Sequence, residues 1–417
     1  MQIFDSLYGN IDFLEDIERL IHTPAIQRLR FIRLSNIDSF DMPGISNISR
    51  FEHVLGTCHL ASSVGFSAKL DPCNRLALMA AALLHDAAIA PFGHLIEEAL
   101  LYLNCHIEHE TKWQVLREAG EHELGGLNLQ VFKRRESGIG YWAERVFAGR
   151  ANQYLATITE AIAGRGELGS CIAGCVDLDN LDNVVRVAYH MGINVDRRIA
   201  IQAAEHMVEI KDANIIFSSR AIDSLSKWLD LRNHVYTKLM LSRNDFSAKI
   251  MLLQMAVSAF EKGYLGEKES VWKLTDDEFI NRLFASNDKD IIEYADDWSL
   301  QRFWPLTDLF WMSGVHPGFP KLHQFSLHLT KLLKRKCFAY GIKDKRTRII
   351  TIHFSNGSSA TLGKQPTTWL LGVAAVRGDL FKHYDNEKIR SAAEEYFSCS
   401  VESSDAKQSD FSLFPLK

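Results

Sequence analysis

The chain has 417 residues, of which 47% are hydrophobic and 24% charged, with a formal net charge of −5. These values fit a water-soluble globular chain with room for one large core or two domains. The acidic balance argues against broad, non-specific nucleic-acid binding while leaving room for local basic patches.

The amino terminus, MQIFDSLYGNIDF, lacks a cationic segment followed by an apolar one, and no apolar run reaches membrane-spanning length. Helical periodicity governs residues 11 to about 295, with apolar residues at three- and four-residue intervals in IDFLEDIERLIH, FEHVLGTCHLASSVGFSAKL, LATITEAIAG, AIDSLSKWLDLRNHVYTKLM and KIMLLQMAVSAFEKGYL. Breaks at DMPGIS, IAPFG and EHELGG punctuate these helices. After QRFWPLTDLFWMSGVHPGFP the pattern changes. FAYGIKDKRTRIITIHFSNGSSATLG reads as two strands joined by the Asn356-Gly357 turn. The tail VESSDAKQSDFSLFPLK is polar and is expected to be poorly ordered. The expected fold is mainly α, with a helical domain over residues 1–300 and a smaller α+β region over 301–417. The seven cysteines, at 58, 73, 105, 171, 175, 337 and 399, include no C-x-x-C pair. That indicates neither a zinc ribbon nor a disulfide framework, and suits a reduced, cytoplasmic protein.

One stretch poses a chemical problem. RLALMAAALL, with strong helix formers and no polar face, runs directly into His85 and Asp86. A buried aspartate needs a partner, and a metal ion ligated by both residues would supply one. The alternative is that His85 caps the helix at the surface and Asp86 caps the next segment. Two ligands are too few for a site. The further candidates are His53 in RFEHVLG and Asp177, Asp179 and Asp182 in VDLDNLDNVVR. A mixed histidine and carboxylate set without cysteine suits Mn, Fe or Mg better than structural zinc.

The ordered segments HTPAIQRLRFIRL, PGISNISRFEHVLG, LLHDAAIAPFGHLIEE, HIEHE, VDLDNLDNVVRVAYHMG and KLTDDEFINRL resemble those of the HD-domain deoxynucleoside triphosphate triphosphohydrolases. The resemblance covers residues 22 to 290, and it implies an HD-type helical core. It further implies that His53, His85, Asp86 and Asp179 bind one catalytic divalent metal (Mn, Fe, Mg or Co), with Arg50 near substrate phosphate. His94, Glu97 and His109 would form the acid–base group, His109 being held by Glu97 where the family has aspartate. Arg28, Arg30 and Arg33 stay ambiguous between this site and ordinary ion pairs. The implied activity is release of nucleoside and triphosphate from a nucleotide. A related 5′-nucleotidase, or a nucleotide sensor or scaffold without turnover, are the alternatives.

The chain also departs from the family. Ile89 replaces a phosphate-facing histidine, and Asn180 and Asn183 replace a lysine and a tyrosine that meet the triphosphate and the sugar. Val187 stands where the family has aspartate, and Leu34-Ser35-Asn36 where it has Gln-Leu-Gly. The basic tract KLLKRKCFAYGIKDKRTR carries eight Lys/Arg from Lys331 to Arg348. It reads either as a solvated face and strand edge, or as a contact for an allosteric nucleotide between subunits of a homo-oligomer, or for single-stranded nucleic acid stacking on Phe338 and Tyr340.

Overall fold

The computed structural model describes residues 1–35, 41–106, 109, 138–265, 270–376, 381 and 383–402. An amino-terminal hairpin, β1 (Gln2–Asp5) and β2 (Gly9–Asp12), precedes short helices α1 (Glu15–Ile21) and α2 (Pro24–Arg28). The central pair is α3 (Arg50–Ser67) and α4 (Pro72–Leu84), which pack on each other. Both start on side-chain caps. Ser49 accepts from the Glu52 amide, and Asp71 accepts from the Cys73 and Asn74 amides ahead of Pro72 in the first turn. As its composition predicts, α4 is buried from Ala77 to Leu84.

Next come α5 (Leu95–Tyr102), α6 (Ile139–Val146), α7 (Ala151–Ile162), α8 (Gly169–Ile172), α9 (Leu178–His190) and α10 (Ile199–Glu205). Strands β3 (Met207–Lys211) and β4 (Asn214–Phe217) lead into α11 (Ala221–Leu241), α12 (Arg243–Glu261), α13 (Asp276–Phe284) and α14 (Lys289–Ser299). The carboxy-terminal part comprises β5 (Phe310–Ser313), α15 (Phe319–Leu333), β6 (Cys337–Lys343), β7 (Ile350–Phe354), β8 (Ser359–Leu362), β9 (Thr368–Ala375), α16 (His383–Phe397) and β10 (Val401–Glu402). The fold is thus mainly α with a smaller sheet region, as expected.

The strands differ from expectation in three ways. The Asn356-Gly357 turn does join a hairpin, β7–β8, paired from Ile350↔Leu362 to His353↔Ser359 with Gly357 at φ 82°. The segment before it, however, is a separate strand: β6 pairs with β9 in the sheet β10-β5-β9-β6. Second, β3 and β4 interrupt the helical body. Their turn uses Asp212 and Ala213 at positive φ, 50° and 59°, so the glycine signal that marks such hairpins is absent. Third, β4 pairs in parallel with β7, so the sheet β3-β4-β7-β8 crosses residue 300. Val401 and Glu402, at the start of the polar tail, pair with β5, while residues 403–417, the EHELGG break and Asn36 lie outside the described residues. All seven cysteines are free, and among the described residues no helix is long and apolar enough to cross a membrane.

Two large hydrophobic cores and a small third cluster around Ile45, Val187 and Val235 result among the described residues. One core gathers α1, α3, α4, α7, α9 and α10, and the other gathers α5, α12 to α16 and the sheet β10-β5-β9-β6. The changeover falls between Ile89, in the first, and Ala90, in the second. The chain segment after His85-Asp86 therefore runs along the seam.

Gly56 on α3 permits the tightest approach to α9. A Cβ there would lie 2.1 Å from Asp182 Oδ1 and 2.3 Å from Arg186 Nη2. At an ordinary helical site, Gly→Ala would stabilise by up to about 1 kcal/mol. Here Gly56→Ala is expected to lower the unfolding free energy by about 1–3 kcal/mol through overpacking. Urea unfolding of the purified variant reads the sign directly.

Candidate active site

The polar centre forms where α3, the end of α4 and the start of α9 meet. His53 is fully buried, and its Nδ1 lies 2.7 Å from Asp182 Oδ2. That contact turns Nε2 toward Asp179, whose Oδ1 is 2.9 Å away but outside hydrogen-bond geometry. His85 is fixed in the same manner, with Nδ1 at 2.8 Å from the Ala82 carbonyl and a buried Nε2 that has no hydrogen-bond partner. His85 Nε2 sits 3.5 Å from Asp86 Oδ2 and 3.8 Å from Asp179 Oδ1. Ligand atoms of His53, His85 and Asp86 fall within 4.8 Å of one another. Two imidazole nitrogens thus point, unpartnered, at a space bordered by two carboxylates. A divalent cation fits this donor set, because the opposite ring nitrogens are already held by a carboxylate and a carbonyl.

The surroundings hold these groups in place. Asp182 receives Nε and Nη2 of Arg186 at 2.9 and 3.0 Å, and Arg186 Nη1 reaches Asp5 at 3.0 Å. Burial would depress the His53 pKa, but the Asp179 and Asp182 carboxylates lift it to about 9. Asp86 is held well below the usual carboxylate range; burial opposes this, and the Arg50 and His85 charges outweigh it. Arg50 donates Nη1 to Asp86 Oδ2 at 2.6 Å and its other nitrogens to the Arg33 and Leu34 carbonyls at 3.3 Å. A guanidinium has five N–H donors, so some remain for the cavity. Asp177 caps α9 through the Asn180 amide at 2.7 Å, and its pKa is pushed up to about 6 by burial and by the charge of Asp179.

Beside this cluster, Glu97 on α5 is shared by two histidines. Its Oε2 meets His94 Nδ1 at 2.5 Å, and its Oε1 meets His109 Nδ1 at 2.8 Å and also the His109 amide. His94 is exposed, while His109 is buried with Nε2 3.5 Å from Asp86 Oδ1. Burial pulls the His109 pKa down, but Asp86 and Glu97 raise it to about 10.

A cavity of about 570 Å³ opens over these groups, lined by Arg50, His85, Asp86, His94, His109 and Asp179 among others. Leu34, Ser35, Asn180, Asn183 and Val187, the departures noted in the sequence, line it too. Ile89 does not: its side chain is fully buried in the first core. Of the ambiguous arginines, Arg28 serves the backbone, donating to the Leu274, Ala87 and Ile89 carbonyls at 2.6, 3.1 and 2.6 Å. Arg30 lies over the Phe51 ring at 3.7 Å. The basic tract divides. Lys345 and Arg348 line the cavity, whereas Arg335 stacks on Phe381 and Lys336 reaches the Tyr294 hydroxyl at 3.0 Å. Phe338 stacks on Trp304, and Tyr340 is buried with its hydroxyl 3.0 Å from Glu98 Oε2. Of the two rings read as candidates for base stacking, Tyr340 is thus buried in packing, while Phe338 is half-buried with Trp304 stacked on it.

Sequence reasoning missed Arg232 and Lys249 on the cavity wall. Arg232 carries a weak signal, four residues from both Trp228 and Tyr236, which its guanidinium overlies at 5.7 and 4.5 Å. Lys249 sits in an otherwise apolar run on α12, where a buried lysine demands the partner it finds in Glu98 at 3.1 Å.

Residues 50–126 match the HD domain. The chain is 26% identical over 373 residues to mouse deoxynucleoside triphosphate triphosphohydrolase SAMHD1, covering 82% of this chain and 54% of that one. To the human protein of the same name it is 24% identical over 371 residues, covering 81% and 54%. An uncharacterised protein of Methanocaldococcus jannaschii is 25% identical over 273 residues, covering 64% and 51%. The chain thus spans about half the length of these curated relatives. A phosphohydrolase from Bacteroides thetaiotaomicron shares the fold, with a TM-score of 0.65 over 90% of this chain and 100% of that one at 17% identity. The resemblance read from the sequence segments is therefore to HD-domain phosphohydrolases in sequence and in fold.

The Glu97–His109 pair gives a test independent of turnover. The raised His109 pKa contributes stability that is complete below pH 6.5 and fades as pH rises toward 10. The depressed Glu97 pKa contributes stability that is complete above pH 4.5 and fades below it. In metal-free protein, the stability lost in Glu97→Gln should therefore peak between pH 4.5 and 6.5 and shrink on either side. Denaturant titrations at stepped pH measure the difference, and a flat profile would refute the pairing.

Proposed function

We propose that this chain is a metal-dependent phosphohydrolase acting on nucleotides, with release of triphosphate and nucleoside from a nucleoside triphosphate as its reaction. The observation that carries the reading is the pair of buried, unpartnered Nε2 atoms of His53 and His85 facing Asp86 and Asp179. These four residues would hold one Mn, Fe, Mg or Co ion. When bound, it supplies Lewis acidity to a phosphoryl oxygen and lowers the pKa of a water. The similarity to SAMHD1, named as a deoxynucleoside triphosphate triphosphohydrolase, supports the substrate class.

The chain's own groups do the rest. Asp182 and the Ala82 carbonyl select the tautomers of His53 and His85, leaving Nε2 free as a donor to the ion. Arg50 neutralises Asp86 and keeps spare N–H groups toward the cavity. Asp86 and Glu97 keep His109 doubly protonated, with Nδ1–H donated to Glu97 and Nε2–H facing the cluster 3.5 Å from Asp86. That places it to protonate a leaving oxygen. His94, exposed and lining the same cavity, shares Glu97.

A panel of nucleotides assayed with Mn, Mg, Fe or Co, with products separated by chromatography, tests the reading. Triphosphate release supports it, and orthophosphate release would favour a 5′-nucleotidase. Asp86→Ala should abolish metal retention, measured by elemental analysis. It should also lower the melting temperature, since Arg50 is left buried without its carboxylate. His109→Ala should retain metal while turnover falls about 10²–10⁴-fold. Wild-type turnover in His109→Ala would remove it from the mechanism.

A further inference from the structure

Glu97 stands between two imidazoles that both turn Nδ1 toward it. His94 and Glu97 lie three residues apart at the start of α5, and one helical turn brings Nδ1 of the first to 2.5 Å from Oε2 of the second. His109 reaches the same carboxylate from beyond the helix, with Nδ1 2.8 Å from Oε1 and its amide donating to that oxygen as well. Ligand atoms of the three residues fall within 4.8 Å of one another. This group is separate from that of His53, His85 and Asp86, toward which His109 turns its other nitrogen, Nε2.

Two imidazole nitrogens and a carboxylate oxygen are the donors of a three-ligand zinc site whose fourth position is open. With bonds of about 2.0–2.1 Å, ligand atoms around a tetrahedral zinc stand roughly 3.3 Å apart. The contacts at 2.5 and 2.8 Å are those of N–H groups on a carboxylate, and each widens by less than about an ångström when the ion takes the place of the protons. Glu97 and His109 supply a fixed half of the site, because both are largely buried, while exposed His94 closes it from the surface. His94 and His109 also line the cavity, which gives the ion an entry and its open position access to water. Paired imidazoles favour zinc over Mn or Mg. No thiolate takes part and one ligand is exposed, so the ion exchanges with solvent. Metal retained through purification therefore reports the first site alone.

We propose that His94, Glu97 and His109 form a second metal site that takes zinc from solution, and that filling it inhibits hydrolysis. The site rests on the geometry alone, and the inhibition rests on the reading of His109 as proton donor given above. As zinc bonds to Nδ1 of His109, the proton there leaves for solvent and the contact with Glu97 is replaced. The ring can then no longer be the imidazolium that gives up a proton at Nε2, and the leaving oxygen loses its acid.

The test uses full-length protein with saturating Mn, dialysed to equilibrium against zinc, with bound zinc counted by elemental analysis. His94 is exposed, so His94→Ala removes a ligand without disturbing a core. Wild type should hold one equivalent of zinc more than His94→Ala or Glu97→Gln at the same free zinc. Equal zinc in all three proteins would overturn the site and leave the phosphohydrolase reading standing. In nucleotide hydrolysis with saturating Mn, zinc should inhibit wild type at concentrations about tenfold or more below those that inhibit His94→Ala, each measured against its own zinc-free rate. Equal sensitivity means that zinc acts by displacing Mn from the first site, and overturns the inhibition. A second zinc that leaves turnover untouched also overturns it, and removes His109 as proton donor while the metal site stands. If the wild type hydrolyses no nucleotide, an extra zinc that His94→Ala loses still supports the site, and the reading of the reaction fails by itself.

Discussion

Among the described residues six aspartates lie at 3% exposure or less, and three of them, Asp5, Asp86 and Asp182, are met by arginines on which much of the architecture depends. Each ion removed from water without a partner would cost several kcal/mol, comparable with a large part of a domain's net stability. Arg186 compensates two of them at once, reaching Asp182 on its own helix and Asp5 on the amino-terminal hairpin. Arg50 compensates the third. The hairpin β1–β2, which looks peripheral in sequence, is therefore tied through Arg186 and Asp182 to His53. Gly56 is the steric counterpart of this arrangement, because only the missing side chain lets the Asp182–Arg186 pair rest on α3.

The second dependency concerns the backbone between His85 and His94. It passes from one core to the other, so neither core alone fixes it. Two distant residues do so instead. Arg28 gathers the carbonyls of Ala87, Ile89 and Leu274, and burial brings its pKa down to about 10. Asp276 accepts from the amides of Phe92, at a positive φ of 55°, and of Arg33. Backbone groups buried in a turn must find partners, and here charged side chains supply them. The orientation of Asp86 thus depends on contacts made from the start of the chain and from α13.

What was legible in the sequence follows from this division. The helices α3 and α4 announce themselves through Ser49, Asp71-Pro72 and an unbroken apolar run, all of them local signals. Histidines 53 and 85 and Asp86 stand out because their residue types are costly to bury, and the structure brings them within ligand distance of one another. Arg232 was barely legible, through its spacing from Trp228 and Tyr236. That no carboxylate among the described residues pairs with it is a fact of space the sequence cannot show. The basic tract was visible as charge, but the direction of each side chain depends on where β6 ends. That is why Arg335 and Lys336 pack against aromatic rings while Lys345 and Arg348 face the cavity. Strands β3 and β4 escaped notice because an Asp-Ala turn lacks the glycine that would mark them.

The departures from the family pattern acquire a physical logic when placed in the cavity. Ile89 stands where a phosphate-facing histidine is expected, and here that position is core: the side chain is fully buried and its carbonyl is bound by Arg28. Asn180 stands where a lysine is expected, and the amide that replaces it accepts a hydrogen bond from Arg232. A lysine at that position would place a second positive charge against a guanidinium already short of counter-ions. An asparagine there gives Arg232 an acceptor without adding a charge beside it. The two residues are 52 apart in sequence and on different helices. Their roles are therefore coupled, because a lysine at 180 would remove the acceptor that Arg232 uses and add a like charge beside it.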